Sequence, residues 1–216
     1  MAETTEDIQI EKGFAATAET PGEKVAHRIS VVANPLFVAL PLFLVVALHT
    51  APDLLHALGW WLIIAVGITG APFFFIRMGV KRGKYTDDHV SNRAQRFVPL
   101  SFGLICMLLV FVLLFFLAVP RLLLATVVAA LATLAFAIVI TQFGKFKISL
   151  HMAGSAGAVT ICILLFGPWL FVLAPLVILI GWARWKVRAH TVLQACAGTV
   201  LAALVTIAVL WLFGVL

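Results

Sequence analysis

The sequence predicts an all-α fold: a polytopic transmembrane helical bundle of about six to seven spans. Three observations carry that expectation. Apolar residues make up 63% of the chain and charged residues only 11%, where a soluble domain carries roughly 25% charged residues. Mean hydropathy is +1.15. Apolar runs of about 20 residues recur along the chain, long enough to cross a bilayer as helices. Barrel strands alternate in hydrophobicity and these runs do not, which excludes a membrane β-barrel.

Residues 1–28 read as a polar N-terminal tail, acidic at first (Glu3, Glu6, Asp7, Glu11) and then mixed (Lys24, His27, Arg28). No basic stretch precedes a short apolar core there, so the tail does not read as a signal peptide; an interfacial helix is expected at its end. Residues 29–216 form the membrane domain. The first apolar run, Ile29–His49, contains Asn34-Pro35, which should kink it or delay its start. The second, Leu54–Met78, carries Trp60 and Trp61 near its beginning, where an aromatic belt lies. The third is Phe97–Val119 and the fourth Leu122–Phe143, joined at Pro120-Arg121. The fifth, His151–Phe166, opens on small residues that let helix backbones approach closely. Gly167-Pro168 turns the chain into Trp169–Trp182, and Thr191–Leu216 closes it without a charge. The cysteines, Cys106, Cys162 and Cys196, fall inside apolar runs with no metal-type spacing and read as small apolar filler.

Three polar connections separate these runs: Arg77–Arg96, Lys145–His151 and Arg184–His190. Seven spans put all three on one face together with the N-terminal tail. Of the 15 lysines and arginines, only Arg121 falls on the other face. That bias points the connections to the cytoplasm. The expected location is a bacterial plasma membrane, given the short loops and compact size.

Cations and histidines at helix mouths point to an anion. In the third connection, Arg184 and His190 stand in an R-x5-H spacing. A histidine beside the positive end of a helix dipole favours its neutral form, which can attack phosphorus; Arg184 would neutralise the phosphoryl oxygens. Lys186 and Arg188 read as a positive-inside anchor. In the second connection, I-S-L-H, the Ser149 hydroxyl and neighbouring N–H groups at a helix start can hold an anion, and His151 can protonate a leaving alcohol. In the first, His89, Arg93 and Arg96 would line one side of a helical turn as an anion clamp. Asp87-Asp88 reads as a solvated helix cap rather than a metal site.

This set resembles the type-2 phosphatidic acid phosphatase superfamily, whose motifs read K-x6-R-P, P-S-G-H and S-R-x5-H-x3-D. Here they read H-x6-R-F, with Arg96 matching; I-S-L-H, with Ser149 and His151 matching; and A-R-x5-H-x3-Q, with Arg184 and His190 matching. The resemblance spans roughly Thr86–Gly198. It implies a metal-independent membrane lipid phosphatase that needs no cofactor and forms a phosphohistidine. His190 would be the nucleophile and His151 the acid, with Arg96, Arg184 and Ser149 on the phosphate. The substrate would be an isoprenoid phosphate or diphosphate, or a glycerophospholipid such as phosphatidic acid. The partners expected are this lipid phosphate and the surrounding membrane lipids, with no nucleic acid.

Three positions depart from the family pattern. Gln194 replaces the Asp that orients the nucleophile; its carbonyl can accept a hydrogen bond from His190 but carries no charge to stabilise an imidazolium. His89 replaces Lys, which makes one clamp charge sensitive to pH near neutrality. Phe97 replaces Pro. The Gln194 and His89 departures support an alternative, a non-catalytic relative that binds or transports a phospholipid. An intramembrane prenyl transferase would need a second acidic motif, which is missing.

Overall fold

The computed structural model describes residues 20–216 other than His89 and Ser91, and describes Arg93 in its main chain. The acidic part of the N-terminal tail lies outside these residues. Among the described residues the chain is helical throughout its long elements, with no strand.

Helix α1 (Pro21–Val32) begins on a capping box between Thr20 and Glu23. The sequence boundary at residue 28 therefore falls inside a helix. Asn34 ends α1 and starts α2 (Pro35–Thr50): its Oδ1 accepts the Leu36 N–H at 3.0 Å, and Pro35 takes the first helical position, where its missing N–H costs nothing. The two helices meet at a 46° bend, so the break expected at Asn34-Pro35 is present. Helix α3 (Leu54–Ile64) passes through a π-helical stretch, Ala65–Gly70, into α4 (Ala71–Lys81). Pro72 lies just beyond that stretch and has no N–H to donate back to it. Thr69 Oγ1, inside the stretch, donates to the Leu36 carbonyl at 2.8 Å and ties it to the start of α2.

Helices α5 (Phe97–Phe116) and α6 (Arg121–Gln142) form a long antiparallel pair. Helix α7 (Leu150–Phe166) ends at Gly167, whose φ of +102° suits a residue without Cβ. A 3₁₀ stretch, Pro168–Leu173, leads into α8 (Ala174–Lys186), and α9 (Val192–Leu212) closes the chain. The segments Leu54–Lys81, Phe97–Phe116, Arg121–Gln142, Pro168–Lys186 and Val192–Leu212 are each long and apolar enough to cross a membrane. The bent pair α1–α2 adds one more candidate, and α7 is a shorter apolar helix.

The outer surface is apolar: Phe74, Leu109, Phe116 and Leu204 are each more than 60% exposed. A continuous apolar exterior of this kind is covered only by lipid, and the protein is a multi-pass membrane protein. Inside, Phe43, Ile64, Leu114, Leu123 and Leu210 pack where α2, α3, α5, α6 and α9 converge.

Small residues let α9 lie against α7: Ala153, Ala156 and Ala202 form a buried cluster. Gly198 sits so close to the start of α7 that a Cβ would stand 2.6 Å from the Ser149 carbonyl oxygen. Helix α1 packs on α8 through a stripe of small residues, with Ala26 wholly buried and Gly22 next to Lys186.

Candidate functional site

The three polar connections meet. Arg96, the residue before α5, sends Nη1 to the Ile148 carbonyl at 3.3 Å and Nε to the Val90 carbonyl at 2.9 Å. The Ser149 N–H donates to the Gln194 carbonyl at 3.4 Å. Connection one is thereby bonded to connection two, and connection two to the start of α9.

The R-x5-H spacing has a structural reason. Arg184 lies in the last turn of α8, and its carbonyl accepts from the Ala189 N–H at 3.0 Å and the His190 N–H at 3.3 Å. The chain folds back over the end of α8 through Arg188, which has a φ of +54°. Six residues are what this reversal takes to return a histidine to the arginine. Arg188 itself points outward and is exposed, consistent with a surface anchor.

His190 stands one residue before Thr191, the N-cap of α9. It is 2% exposed, and its Nδ1 lies 3.0 Å from Gln194 Oε1. The same oxygen accepts the Thr191 N–H at 3.3 Å. An atom that accepts from a backbone amide is an acceptor, so Nδ1 carries the hydrogen and Nε2 keeps its lone pair. The Gln194 carbonyl thus takes the hydrogen bond from His190 that the sequence allows it, and the residue also completes the capping box of α9.

Burial, then the positive charges of Arg96, Arg184 and Lys147, hold the imidazole well below its ordinary value of 6.5; the Gln194 bond pulls weakly the other way. The sequence reading credited the helix dipole for the neutral form. Desolvation and three cations account for it in the structure.

His151, in the first turn of α7, is 5% exposed and directs Nε2 at the Ser30 carbonyl of α1, 3.1 Å away. Ser149 is the N-cap of α7, wholly buried. Its hydroxyl makes no capping bond and has no partner among the described residues; the Nε of Arg184, itself 3% exposed, has none either. A buried donor left unmatched costs about 1–3 kcal/mol, so two of them beside a pair of histidines mark a place meant for an acceptor. Arg96 is 4% exposed, and burial lowers its guanidinium to about 10, against which the Asp87 carboxylate acts. It stays cationic at neutral pH.

Connection one is not a continuous helical turn among the described residues. Val90 has a φ of +46°, and a 3₁₀ turn covers Arg93–Gln95. A helical turn running through this connection is therefore interrupted at Val90. Positive φ at Val90 and the short turn aim Arg96 across to connection two instead. His89 and the Arg93 side chain lie outside the described residues. Asn92 caps the 3₁₀ turn, its Oδ1 accepting the Ala94 N–H at 2.8 Å, and Asp88 pairs with Arg77 at 3.1 Å. Among the described residues no group of three or more His, Cys, Asp or Glu side chains is placed to hold a metal ion.

One residue was missed. Lys147 is 5% exposed and its charge acts on His190. The sequence reading counted it only toward orientation. It stands two residues before Ser149, the spacing that turns side chains to one side of an extended segment, and that was the available signal.

A cavity of about 220 Å³ opens beside the cluster. Asn34, Asp88, Arg96 and His151 line its polar part; the rest is largely apolar and runs among α2, α5, α6, α7 and α9, past Leu42, Met107 and Ile161 to Thr206. Arg96 and His151 belong to both cavity and cluster. Arg184, Ser149 and His190 do not line it. No protein-family model, curated protein or solved structure matches the chain.

Proposed function

We propose that the protein is a membrane lipid phosphatase that cleaves a phosphate ester or anhydride of a lipid through a phosphohistidine at His190. The observation that carries this reading is a neutral, tautomer-fixed histidine enclosed by three buried cations. Each buried charge costs several kcal/mol unless compensated. Arg96, Lys147 and Arg184 against Asp87, the carboxylate acting on Arg96 among the described residues, leave about two positive charges, the charge of a phosphomonoester dianion.

In the reaction, Nε2 of His190 forms a bond to phosphorus as the bond from phosphorus to the leaving oxygen breaks. Protonated His151 turns its Nε2–H from the Ser30 carbonyl to that oxygen and releases the lipid alcohol or lipid phosphate. Water then attacks the phosphohistidine, gives its proton to His151, and inorganic phosphate departs. Arg96, Arg184 and Ser149 hold the phosphoryl oxygens, whose charge they match. The neighbouring cavity takes the first part of the lipid tail. The cation bias along the chain favours a cytoplasmic site.

A second reading has one observation in its favour: His190 is enclosed and does not line the cavity. A protein that only binds or moves a phospholipid would use the cavity and Arg96 without exposing His190. Phosphate release decides between the two. The purified protein in detergent with EDTA should release phosphate from at least one of a panel of isoprenoid phosphates, isoprenoid diphosphates and phosphatidic acid. Lipid binding with no release from any of them would leave the second reading standing and remove the first.

The pH dependence follows from His190. The unfolded chain takes up this proton near 6.5, the folded protein only well below. In that window the unfolded state holds more protons, so stability falls as pH drops below 6.5. The nucleophile stays active through the same window. Gln194→Glu keeps the side-chain shape and the cap but places a carboxylate on Nδ1. The acid limb of kcat/KM should then move up by about one pH unit or more. An acid limb unmoved by this change would mean that His190 is not the group titrating.

A further inference from the structure

We propose that Ser30 of α1 is a substrate ligand, its hydroxyl donating to a phosphoryl oxygen while its carbonyl positions His151. This rests on the phosphatase reading and extends the site to a helix that none of the three polar connections contains.

Ser30 stands at the site through its main chain, where its carbonyl lies 3.1 Å from His151 Nε2. The residue is 1% exposed and its hydroxyl has no partner among the described residues. Five helical hydroxyls elsewhere in the chain turn back to the carbonyl one turn earlier: Thr50 to Val46, Thr126 to Leu122, Thr133 to Ala129, Ser155 to His151 and Thr199 to Ala195, at 2.8–3.1 Å. That back-bond is the ordinary way to satisfy a hydroxyl in apolar surroundings. Ser30 has the Ala26 carbonyl in the same relation and does not use it.

Four buried side-chain atoms are without a partner among the described residues. One, Gln142 Nε2, is at the end of α6; the others are Ser149 Oγ, Arg184 Nε and Ser30 Oγ. Ser149 is two residues from His151, Arg184 is bonded through its carbonyl to His190, and Ser30 is bonded to His151. Three donors left open around two histidines suit one tetrahedral anion, which offers several acceptor oxygens at once.

The competing account makes Ser30 a spacer in the small-residue stripe with Gly22 and Ala26. Ser30→Ala separates the two, because alanine fits the stripe and keeps the carbonyl. The full-length protein in detergent is compared with wild type for three readouts: thermal midpoint, the rise in that midpoint with inorganic phosphate, and kcat/KM on the best lipid phosphate. A ligand role predicts an unchanged or higher midpoint without phosphate. It also predicts roughly 10-fold weaker phosphate binding and at least a 10-fold lower kcat/KM, the weight of one hydrogen bond to a charged group. Wild-type phosphate binding and turnover in Ser30→Ala would overturn the role of Ser30 alone. A lowered midpoint with phosphate binding intact would make Ser30 structural and overturn it too. A wild-type protein that neither binds inorganic phosphate nor releases it from any lipid would overturn the phosphatase reading along with it.

Discussion

His190→Ala should abolish phosphate release, lowering kcat by roughly 10³-fold or more, while the protein still folds and still binds phosphate. Loss of a covalent nucleophile leaves only the rate that positioning and charge can supply. The alanine variant keeps the fold because the histidine main chain, not its ring, bonds Arg184: the His190 N–H to Arg184 carbonyl contact survives. The capping box survives as well, since Gln194 Oε1 still accepts from the Thr191 N–H and the Gln194 N–H still donates to Thr191 Oγ1. Removing a buried imidazole also removes a group that three cations keep from charging, so phosphate should bind the variant at least as well as the wild type. Phosphate release is read in detergent with EDTA beside the thermal midpoint. In wild type, base-stable and acid-labile phosphate should be trapped on the protein when turnover is quenched, and it should be missing in the variant. Full activity in His190→Ala would remove the phosphohistidine mechanism, whatever other residues turn out to do.

The parts of this arrangement visible in the sequence are those that depend on neighbours along the chain. Apolar runs mark the spans because the bilayer imposes its own length on them. Asn34-Pro35 marks a break because a cap followed by a proline starts a helix locally. The R-x5-H spacing is visible because the reversal at the end of α8 is itself a local structure. Gln194 is three residues past the N-cap, so its bond to His190 is also local. Other parts depend on contacts across the fold. Lys147 looks like any surface lysine until the fold buries it. Ser30 looks like a small residue in a tail helix until α1 folds onto α8 and brings its carbonyl to His151. Connection one reads as a helical turn in the sequence, and the positive φ at Val90 that interrupts the helical period is set by the fold around it. The depression of His190 was assigned to a dipole because burial cannot be seen in a sequence.

Arg184→Met should lower activity by roughly 10²–10³-fold and should not lower the thermal midpoint, with a rise the more natural result. The two effects have one cause. Arg184 is 97% buried and its Nε has no acceptor among the described residues, so in the phosphate-free protein its charge is held against a desolvation penalty of several kcal/mol. Methionine fills similar space without that charge. The Arg184 carbonyl, which bonds Ala189 and His190, is unaffected by the change. Under the proposed function the charge acts when a phosphoryl group arrives, and most of all as negative charge builds on its oxygens. The variant should therefore also lose most of the stabilisation that inorganic phosphate gives wild type. An arginine that served only to hold α8 to its neighbours would behave oppositely, and its removal would lower stability and activity together. A protein that becomes more stable as it loses function is one whose buried charges are placed for a ligand, and under the proposed function that ligand is a phosphate.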